Sequence, residues 1–219
     1  MVDPSDIQIV AIIPAAGRST RMGRPKQLLP MDKGTMLEHV IESVLWGDID
    51  GLCVVTSGAV DDELALGEDP RFILAINDDA DSEMLDSIRM GMAVLNARCQ
   101  VNDIDAYLVC PGDMPRVTPD DVRAVTAAFR REPDGIVIAA HQGRRGHPMV
   151  FPASLAAEVD RIGAGGLKAL IEAHTERVRI VERDSPGVIQ DIDTPEDWEL
   201  TIDDWEKGTG NLSRDRKKL

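Results

Sequence analysis

The chain has 219 residues, of which 43% are hydrophobic and 29% charged, a composition that suits one α/β domain or two small ones. Its formal net charge of −15, from 39 acidic against 24 basic residues, argues against nucleic acid or an anionic membrane as the main partner. No apolar run approaches the roughly 20 residues that span a bilayer and no signal peptide is evident, so we expect a cytoplasmic protein.

Strand-like apolar runs recur along the chain with helical patterns between them. Their continuous hydrophobicity is typical of parallel strands that are covered on both faces. The runs occupy residues 8–13, 51–57, 72–77, 106–110, 135–140 and 177–182. This alternation predicts a single Rossmann-like, three-layer α/β domain with a mainly parallel sheet over residues 1–206. The polar, basic segment 207–219 is predicted to be a flexible tail.

Three helix starts carry capping residues. Thr35 followed by Glu38 forms a capping box, whereas Thr118 and Thr194 each precede a proline and then carboxylates. Two further apolar stripes have helical spacing: Leu85, Ile88, Met92 and Leu95, and Trp198, Ile202 and Trp205. The sequence therefore predicts helices after each of these starts.

The cysteines favour reduced thiols over disulfide bridges. They are odd in number, and Cys53 and Cys110 lie in strand-like runs while Cys99 does not. We expect buried thiols of the kind found in a reducing compartment.

The stretch "PAAGRSTRMGRPKQLLP" at 14–30 directly follows the first strand-like run. No acidic residue appears in it, and four basic ones fall within nine positions: Arg18, Arg21, Arg24 and Lys26. Small residues after a strand allow backbone N–H groups to approach a phosphate, so the stretch predicts an anion site at the sheet edge. Its spacing is neither that of a Walker loop nor that of G-x-G-x-x-G, and a surface turn remains the alternative.

Two acidic stretches have a less specific signal on their own. In "LVCPGDMP", Asp113 follows the run 106–110 and is expected at the carboxyl edge of the sheet, although taken alone the stretch favours an ordinary Gly-Asp turn. In "DIDTPED", the helix start accounts for the last four residues but not for Asp191 and Asp193.

Taken in order, these stretches closely resemble the NTP transferases that activate phosphorylated small molecules, in the MobA-like branch that contains molybdenum cofactor cytidylyltransferase. The resemblance implies a fold of the nucleotide-diphospho-sugar transferase type. It also implies that the loop backbone lies beside the nucleotide and that Arg21 and Lys26 hold its phosphates. The loop residues that it assigns to nucleotide binding are Pro14, Ala15, Ala16 and Gly17.

The same resemblance supplies a metal site. "GDMP" is similar to the family segment whose aspartate binds catalytic magnesium, which assigns Asp113 to Mg²⁺. Asp193 best matches a second metal-binding position, with Asp191 as the runner-up. Mg²⁺ prefers hard oxygen ligands and commonly takes one or two carboxylates together with substrate phosphates. Arg21, Lys26 and Asp113 are thus the implied catalytic residues.

Two further stretches resemble the family's specificity segments. "MLDSIRMGM" matches the stretch in which a serine approaches the base or ribose, here Ser87, although Glu83 and Asp86 depart from the usual residues. "GRRGHPMVF" is similar to a loop that borders the acceptor, which assigns Arg145 and His147, with Arg144 beside them, to acceptor binding. A polar helix residue and a charged hairpin are the respective alternatives.

The resemblance implies nucleotidyl transfer from MgNTP, with CTP as the donor, to a phosphorylated pterin, molybdopterin carrying molybdenum. Pyrophosphate would leave, and a molybdoenzyme would be a possible client. The alternatives are guanylyl transfer to the same cofactor, cytidylyl or uridylyl transfer to a sugar or alditol phosphate, and a non-catalytic nucleotide- or cofactor-binding protein. Some relatives of this branch are named as oxidoreductases of pigment catabolism.

Overall fold

A computed structural model of the chain describes residues 6–17, 19, 22–31, 34–65, 69–98, 104–163 and 165–206. Of residue 206 only the backbone is described. Arg18, Arg21 and Cys99 lie outside the described residues, as does the predicted tail 207–219. The domain boundary expected at residue 206 therefore stays a prediction.

The described chain forms nine strands. They are β1 (Ile9–Pro14), β2 (Pro30–Met31), β3 (Gly34–Thr35), β4 (Gly51–Thr56), β5 (Phe72–Ile76), β6 (Ala106–Val109), β7 (Ile136–His141), β8 (Arg144–Pro152) and β9 (Val178–Glu182). Seven of them form one sheet in the order β5-β4-β1-β6-β8-β7-β9, and β2 pairs with β3 in a separate antiparallel ribbon. The six apolar runs correspond to β1, β4, β5, β6, β7 and β9, which confirms the predicted mainly parallel α/β sheet.

Helices cover both faces of this sheet. They are α1 (Met36–Leu45), α2 (Gly58–Asp61), α3 (Met84–Arg98), α4 (Pro119–Arg131), α5 (Ala156–Val159), α6 (Leu167–Ala173) and α7 (Pro195–Glu206). The buried faces of α1 and α4 share one core cluster with the sheet, while α3, α5 and α6 share a second. The three-layer arrangement follows, because each sheet face needs an apolar cover. No helix in the described ranges is both long and apolar enough to cross a membrane.

The predicted helix starts are capping boxes in the structure. The hydroxyl of Thr35 accepts a hydrogen bond from the Glu38 N–H at 3.3 Å, and the Glu38 carboxylate accepts one from the Thr35 N–H at 2.6 Å. Thr118 is paired in the same reciprocal way with Asp121, and Thr194 with Asp197. The backbone donors that each helix leaves unpaired are thus satisfied locally.

Strand β8 is not among the predicted apolar runs, and it forms the charged hairpin that is the alternative interpretation of "GRRGHPMVF". It runs antiparallel to both β6 and β7, and its first residues are those that the resemblance assigns to a loop. A two-residue turn joins β7 to β8, in which Gln142 (φ 51°) and Gly143 (φ 75°) both have the positive φ of a type I′ hairpin turn. Pairing across this turn, rather than apolar alternation, makes the charged residues at 144–145 part of a strand.

The structure confirms the predictions of buried cysteine thiols and of apolar helix faces for the residues that it describes. Cys53 and Cys110 are free and buried, and burial raises the pKa of the Cys53 thiol to about 12. The predicted stripe on α3 is buried against the sheet. The stripe on α7 packs on a smaller cluster at the base of the β2–β3 ribbon.

Candidate active site

A pocket opens where the carboxyl ends of β1 and β6 lie side by side. From β1 the chain proceeds to β4 and β5 on one side, and then returns to β6 on the other, so the strand order reverses between β1 and β6. Ligands of open α/β sheets bind at such a point. The residues lining the pocket come from the loop after β1, the start of α3 and the turn after β6: Pro14, Ala15, Ala16, Gly17, Lys26, Gln27, Ser82, Glu83, Met84, Ser87, Gly112 and Asp113.

Lys26 joins three separate segments of the chain at the edge of this pocket. Its Nζ lies 2.8 Å from Asp113 Oδ2 and 2.7 Å from Asp193 Oδ1. It also donates to the Ile192 carbonyl at 2.9 Å. The three N–H donors of the ammonium group thus have three partners. Three of the residues that the sequence assigns to phosphate or metal binding are therefore in direct contact.

Backbone packing brings these segments together. Lys26 begins a short 3₁₀ helix, Lys26–Leu28, which returns the chain towards β1 after the loop. Gly112 lies so close to β1 that an added Cβ would be 2.8 Å from the Ala15 Cβ, which requires glycine there. The Ile192 N–H donates to the Asp113 carbonyl at 2.9 Å and fixes the approach of the α7 N-terminus.

The electrostatics of this cluster keep Lys26 charged. Burial acts to lower the pKa of Lys26, but Asp113 and Asp193 more than offset it, so that the pKa lies above its ordinary value. Two carboxylates against one ammonium leave the cluster with one net negative charge. The lysine therefore compensates only part of the acidic charge that the fold concentrates here.

The two carboxylates fit a divalent metal. Asp113 Oδ1 is buried and has no hydrogen-bond partner within the described part of the chain, so one carboxylate oxygen keeps its lone pairs available. Asp193 is more open, with 44% of its side chain exposed. No group of three His, Cys, Asp or Glu that could hold a metal occurs among the described residues. Two carboxylates with substrate phosphates is a common coordination for Mg²⁺.

The described part of the loop after β1 contributes one wall of the pocket. Pro14, Ala15, Ala16 and Gly17 all line the pocket, and the Ala15 N–H donates to the Val55 carbonyl at 2.7 Å, continuing the β1–β4 ladder. Arg24, by contrast, is exposed and is not among the lining residues. Because Arg21 is outside the described residues, its role stays a prediction.

Ser87 lies in the pocket wall. It is 3% exposed, and its hydroxyl accepts a hydrogen bond from Asn77 Nδ2 at 3.4 Å. The same Asn77 group donates to Ser82 Oγ at 2.7 Å, so one buried amide holds two pocket serines. Of the two residues that depart from the family pattern, Asp86 caps α3 by accepting from the Glu83 N–H at 2.9 Å, whereas Glu83 itself lines the pocket.

The predicted acceptor residues, Arg145 and His147, lie at the same sheet edge as the pocket but are not among the residues that line it. Met149 pairs with Val109 near the end of β6, so the preceding part of β8 extends beyond that strand end. Arg145 is exposed and His147 is partly buried on this extension. Burial lowers the pKa of His147 to about 4, although the nearby charge of Asp191 acts to raise it. His147 is therefore a neutral hydrogen-bonding group at neutral pH and not a cation.

Five residues of the pocket lining were not predicted as site residues: Gln27, Ser82, Glu83, Met84 and Gly112. Gln27 follows Lys26 and is buried beneath the loop, and Gly112 precedes Asp113. For Gln27 and Gly112 the available signals were a polar residue within the short "KQLL" stretch and a glycine two positions after the strand-like run 106–110. Neither residue type is specific enough to be assigned without knowing which backbone approaches it.

Comparison with known proteins shows which family the chain resembles. The sequence-family model of the MobA-like NTP transferase domain matches residues 11–178 of this chain. A molybdenum cofactor cytidylyltransferase of Escherichia coli (strain K12) is 29% identical over 195 residues, which make up 87% of this chain and 93% of that protein. A probable molybdenum cofactor guanylyltransferase of Rhodopirellula baltica is 29% identical over 161 residues, covering 70% and 72% of the two chains.

Two further similarities extend over most of the chain. Nicotine blue oxidoreductase of Paenarthrobacter nicotinovorans is 26% identical over 198 residues, which cover 86% of this chain and 93% of that protein. The crystal structure of Rv0371c from Mycobacterium tuberculosis H37Rv superposes with a TM-score of 0.77 at 26% identity, covering 90% of this chain and 98% of that one. The fold is that of the nucleotide-diphospho-sugar transferases, as the sequence predicts.

Proposed function

The chain belongs to the MobA-like NTP transferase family and is a nucleotidyltransferase, and from this premise we propose that it transfers CMP from MgCTP to the phosphate of molybdopterin. The acceptor in this proposal carries molybdenum, and pyrophosphate is the second product. The relative named as a molybdenum cofactor cytidylyltransferase covers 87% of the chain and supports both the donor and the acceptor.

One observation carries the proposal: a lysine and two aspartates converge beside a small-residue loop. Lys26 Nζ is within 2.8 Å of oxygens from both Asp113 and Asp193, and Asp113 lines the same pocket as the loop residues 14–17. A cation and a pair of hard oxygen donors beside a loop of small residues suit a metal-bound triphosphate. Direct transfer between the two substrates requires no covalent bond to any of these three side chains.

The transfer needs little covalent chemistry from the protein. An acceptor phosphate oxygen, already anionic near neutral pH, forms a bond to the α-phosphorus of the nucleotide. The bond from that phosphorus to the bridging oxygen breaks, and its electron pair leaves with pyrophosphate. Positioning of the two phosphates and neutralisation of the charge on the leaving group then supply most of the rate enhancement. No general base is required.

Nucleotidyltransferases of this family generally use a divalent metal, and we assign the metal ligands here to Asp113 and Asp193. Bound Mg²⁺ would supply Lewis-acid charge for the triphosphate. Lys26 has its three donors engaged by protein oxygens, so it must release at least one of them to contact a phosphate. We assign Arg21 the same task of binding phosphate.

We assign donor choice to the pocket and acceptor choice to the neighbouring first residues of β8. Ser87, held by Asn77, is placed at the nucleotide base or ribose, together with the backbone near Pro14 and Ala15. Arg145 and the neutral His147 are assigned to the pterin phosphate, the first as a cation and the second as a hydrogen-bonding group. The sequence "GRPKQLL" favours CTP because the guanylyl branch usually continues this loop with a Gly-Gly-x-Asp-Lys-like segment.

A matrix of four NTPs against several acceptors tests the proposal. Pyrophosphate release is measured with Mg²⁺ and either molybdenum-loaded molybdopterin or sugar and alditol phosphates. We expect the highest kcat/KM for CTP with molybdopterin. A value for GTP equal to or above that for CTP would reject the donor while leaving nucleotidyl transfer intact, and turnover with sugar phosphates alone would reject the acceptor. Nucleotide binding without pyrophosphate release from any pair would indicate a binding protein.

A further inference from the structure

Gln27 is a buried polar residue to which the mechanism above gives no role. It follows Lys26 in the 3₁₀ helix, and only 3% of its surface is exposed. Its amide nitrogen donates to the Ala15 carbonyl at 2.7 Å and to the Gly17 carbonyl at 2.8 Å. Both protons of the amide group are thus used on the loop that follows β1.

The other end of the same amide is paired as well. Gln27 Oε1 accepts from Ser19 Oγ at 3.2 Å, and Ser19 Oγ accepts from the Lys26 N–H at 2.9 Å. Two carbonyl partners on one side require donors there, so the network fixes which end of the amide is nitrogen. Gln27 therefore connects the first half of the loop to the backbone of Lys26.

These bonds determine which way the loop peptides face. In a trans peptide the C=O and the following N–H point in opposite directions. Because the Ala15 carbonyl points to Gln27, the N–H of Ala16 points away from Gln27. A carbonyl turned into the pocket would instead repel an anionic phosphate. The Ala15 carbonyl also receives a long bond from Thr56 Oγ1 at 3.4 Å.

We infer that Gln27 is a positioning residue for the nucleotide. Its amide binds the carbonyls of Ala15 and Gly17, so that neither oxygen turns towards the donor phosphates and the Ala16 N–H, which faces away from Gln27, can reach them. Through Ser19 it also fixes the backbone of Lys26 relative to the loop. The inference rests on the proposed function for the identity of the ligand, but the orientation of the loop can be tested without it.

Two substitutions separate hydrogen bonding from packing. Gln27→Glu keeps the shape of the side chain but, when ionised, presents only acceptors to the two carbonyls. Gln27→Met keeps the length and loses all hydrogen bonding. If Gln27 serves only to fill space, Gln27→Met, which keeps the length of the side chain, behaves like the wild type. If its donors position the loop, Gln27→Glu is impaired at least as strongly as Gln27→Met. Gln8→Glu, at the opposite end of β1, is the matched control.

The first measurement is the affinity for MgCTP together with steady-state kinetics. We expect Kd for MgCTP to rise about tenfold or more in both variants, because a buried carbonyl that loses its donor destabilises the loop. KM for the acceptor stays within about twofold of the wild-type value, because the acceptor residues lie elsewhere. An unchanged Kd in Gln27→Glu, or equal changes in both substrate constants, would overturn the inference.

The second measurement needs no nucleotide. Hydrogen exchange of a peptide covering residues 11–17 should be faster in Gln27→Glu than in the wild type and in Gln8→Glu, at a temperature where all three are folded by circular dichroism. Wild-type exchange in Gln27→Glu would overturn the inference. A wild-type protein that binds no NTP would reject the proposed function, and the exchange result would still decide whether Gln27 orders the loop.

Discussion

Lys26 Nζ lies 2.8 Å from Asp113 Oδ2, although 87 positions separate the two residues in the chain. With Asp193 Oδ1 at 2.7 Å from the same nitrogen, a cation bridges two carboxylates that sit at different strand and helix ends. The same two carboxylates are the proposed metal ligands. Substitution of the lysine and substitution of an aspartate should therefore have different effects on metal binding, on nucleotide binding and on folding.

Asp113→Asn should preserve the fold and suppress turnover. The substitution removes a charged metal ligand while keeping the size of the side chain. Since metal charge stabilises the transition state by several kcal/mol and each ~1.4 kcal/mol is a factor of about ten, kcat should fall at least about 100-fold. The control is Asp120→Asn, an exposed carboxylate in the first turn of α4. A folded Asp113→Asn protein with wild-type kcat at every Mg²⁺ concentration would remove Asp113 from the mechanism.

Lys26→Met should lower kcat more than it raises KM for the nucleotide. The ammonium is proposed to act on the departing pyrophosphate, whose charge develops in the transition state, so its loss appears mainly in kcat. Lys168→Met, an exposed lysine paired within α6 to Glu172, is the control. A raised KM with an unaltered kcat would reduce Lys26 to a residue that binds ground-state substrate.

The same Lys26→Met variant should bind divalent metal more tightly when no nucleotide is present. In the wild type the lysine already compensates Asp113 and Asp193, and its removal leaves two carboxylates in need of a cation. We expect a decrease in Kd for Mn²⁺ on the order of tenfold, as for the loss of one competing charge a few ångström away. Calorimetric or spin-resonance titration measures this, and equal or weaker binding by the variant would contradict the arrangement proposed here.

His147 should make folding stability depend on pH. Its folded pKa is lowered from 6.5 to about 4, mainly by burial, with Asp191 opposing that effect. Between those values the unfolded chain binds more protons at this residue, so its contribution to the free energy of unfolding falls as the pH decreases from about 6.5 to about 4. Urea unfolding of wild type and His147→Gln across this range should show a steeper decrease in the wild type. Parallel curves would count against a depressed pKa.

Gly146→Ala should destabilise the fold at the acceptor edge. A Cβ on Gly146 would lie 1.8 Å from the Val188 carbonyl oxygen, so the backbone of β8 or of the 3₁₀ helix Pro186–Ile189 must move. Overpacking of this kind costs about 1–3 kcal/mol in the free energy of unfolding. Gly163→Ala, where an added Cβ meets nothing within 4 Å, is the control. Equal free energies of unfolding for the two variants would show that the backbone around Val188 moves aside without a cost in stability.

The local features of this protein were readable from its sequence. Continuous apolar runs predict covered strands, and Thr-x-x-Glu or Thr-Pro patterns predict helix starts, because both depend on residues only a few positions apart. The loop after β1 and the turn at Asp113 were placed correctly at the carboxyl edge of the sheet, since chain direction alone determines which end of a parallel strand they follow.

Contacts between distant segments required the tertiary structure. The apolar pattern did not predict β8, and the sequence left a charged hairpin there only as an alternative, because its first residues become strand by pairing across the turn at Gln142 and Gly143. Nor did it indicate that Gln27 is buried. That residue is polar, and its burial is favourable only because the carbonyls of Ala15 and Gly17 are folded against it. The contact of Lys26 with Asp113 and Asp193 likewise depends on strand order and on the docking of Ile192 to Asp113, which bring together residues that no local pattern relates.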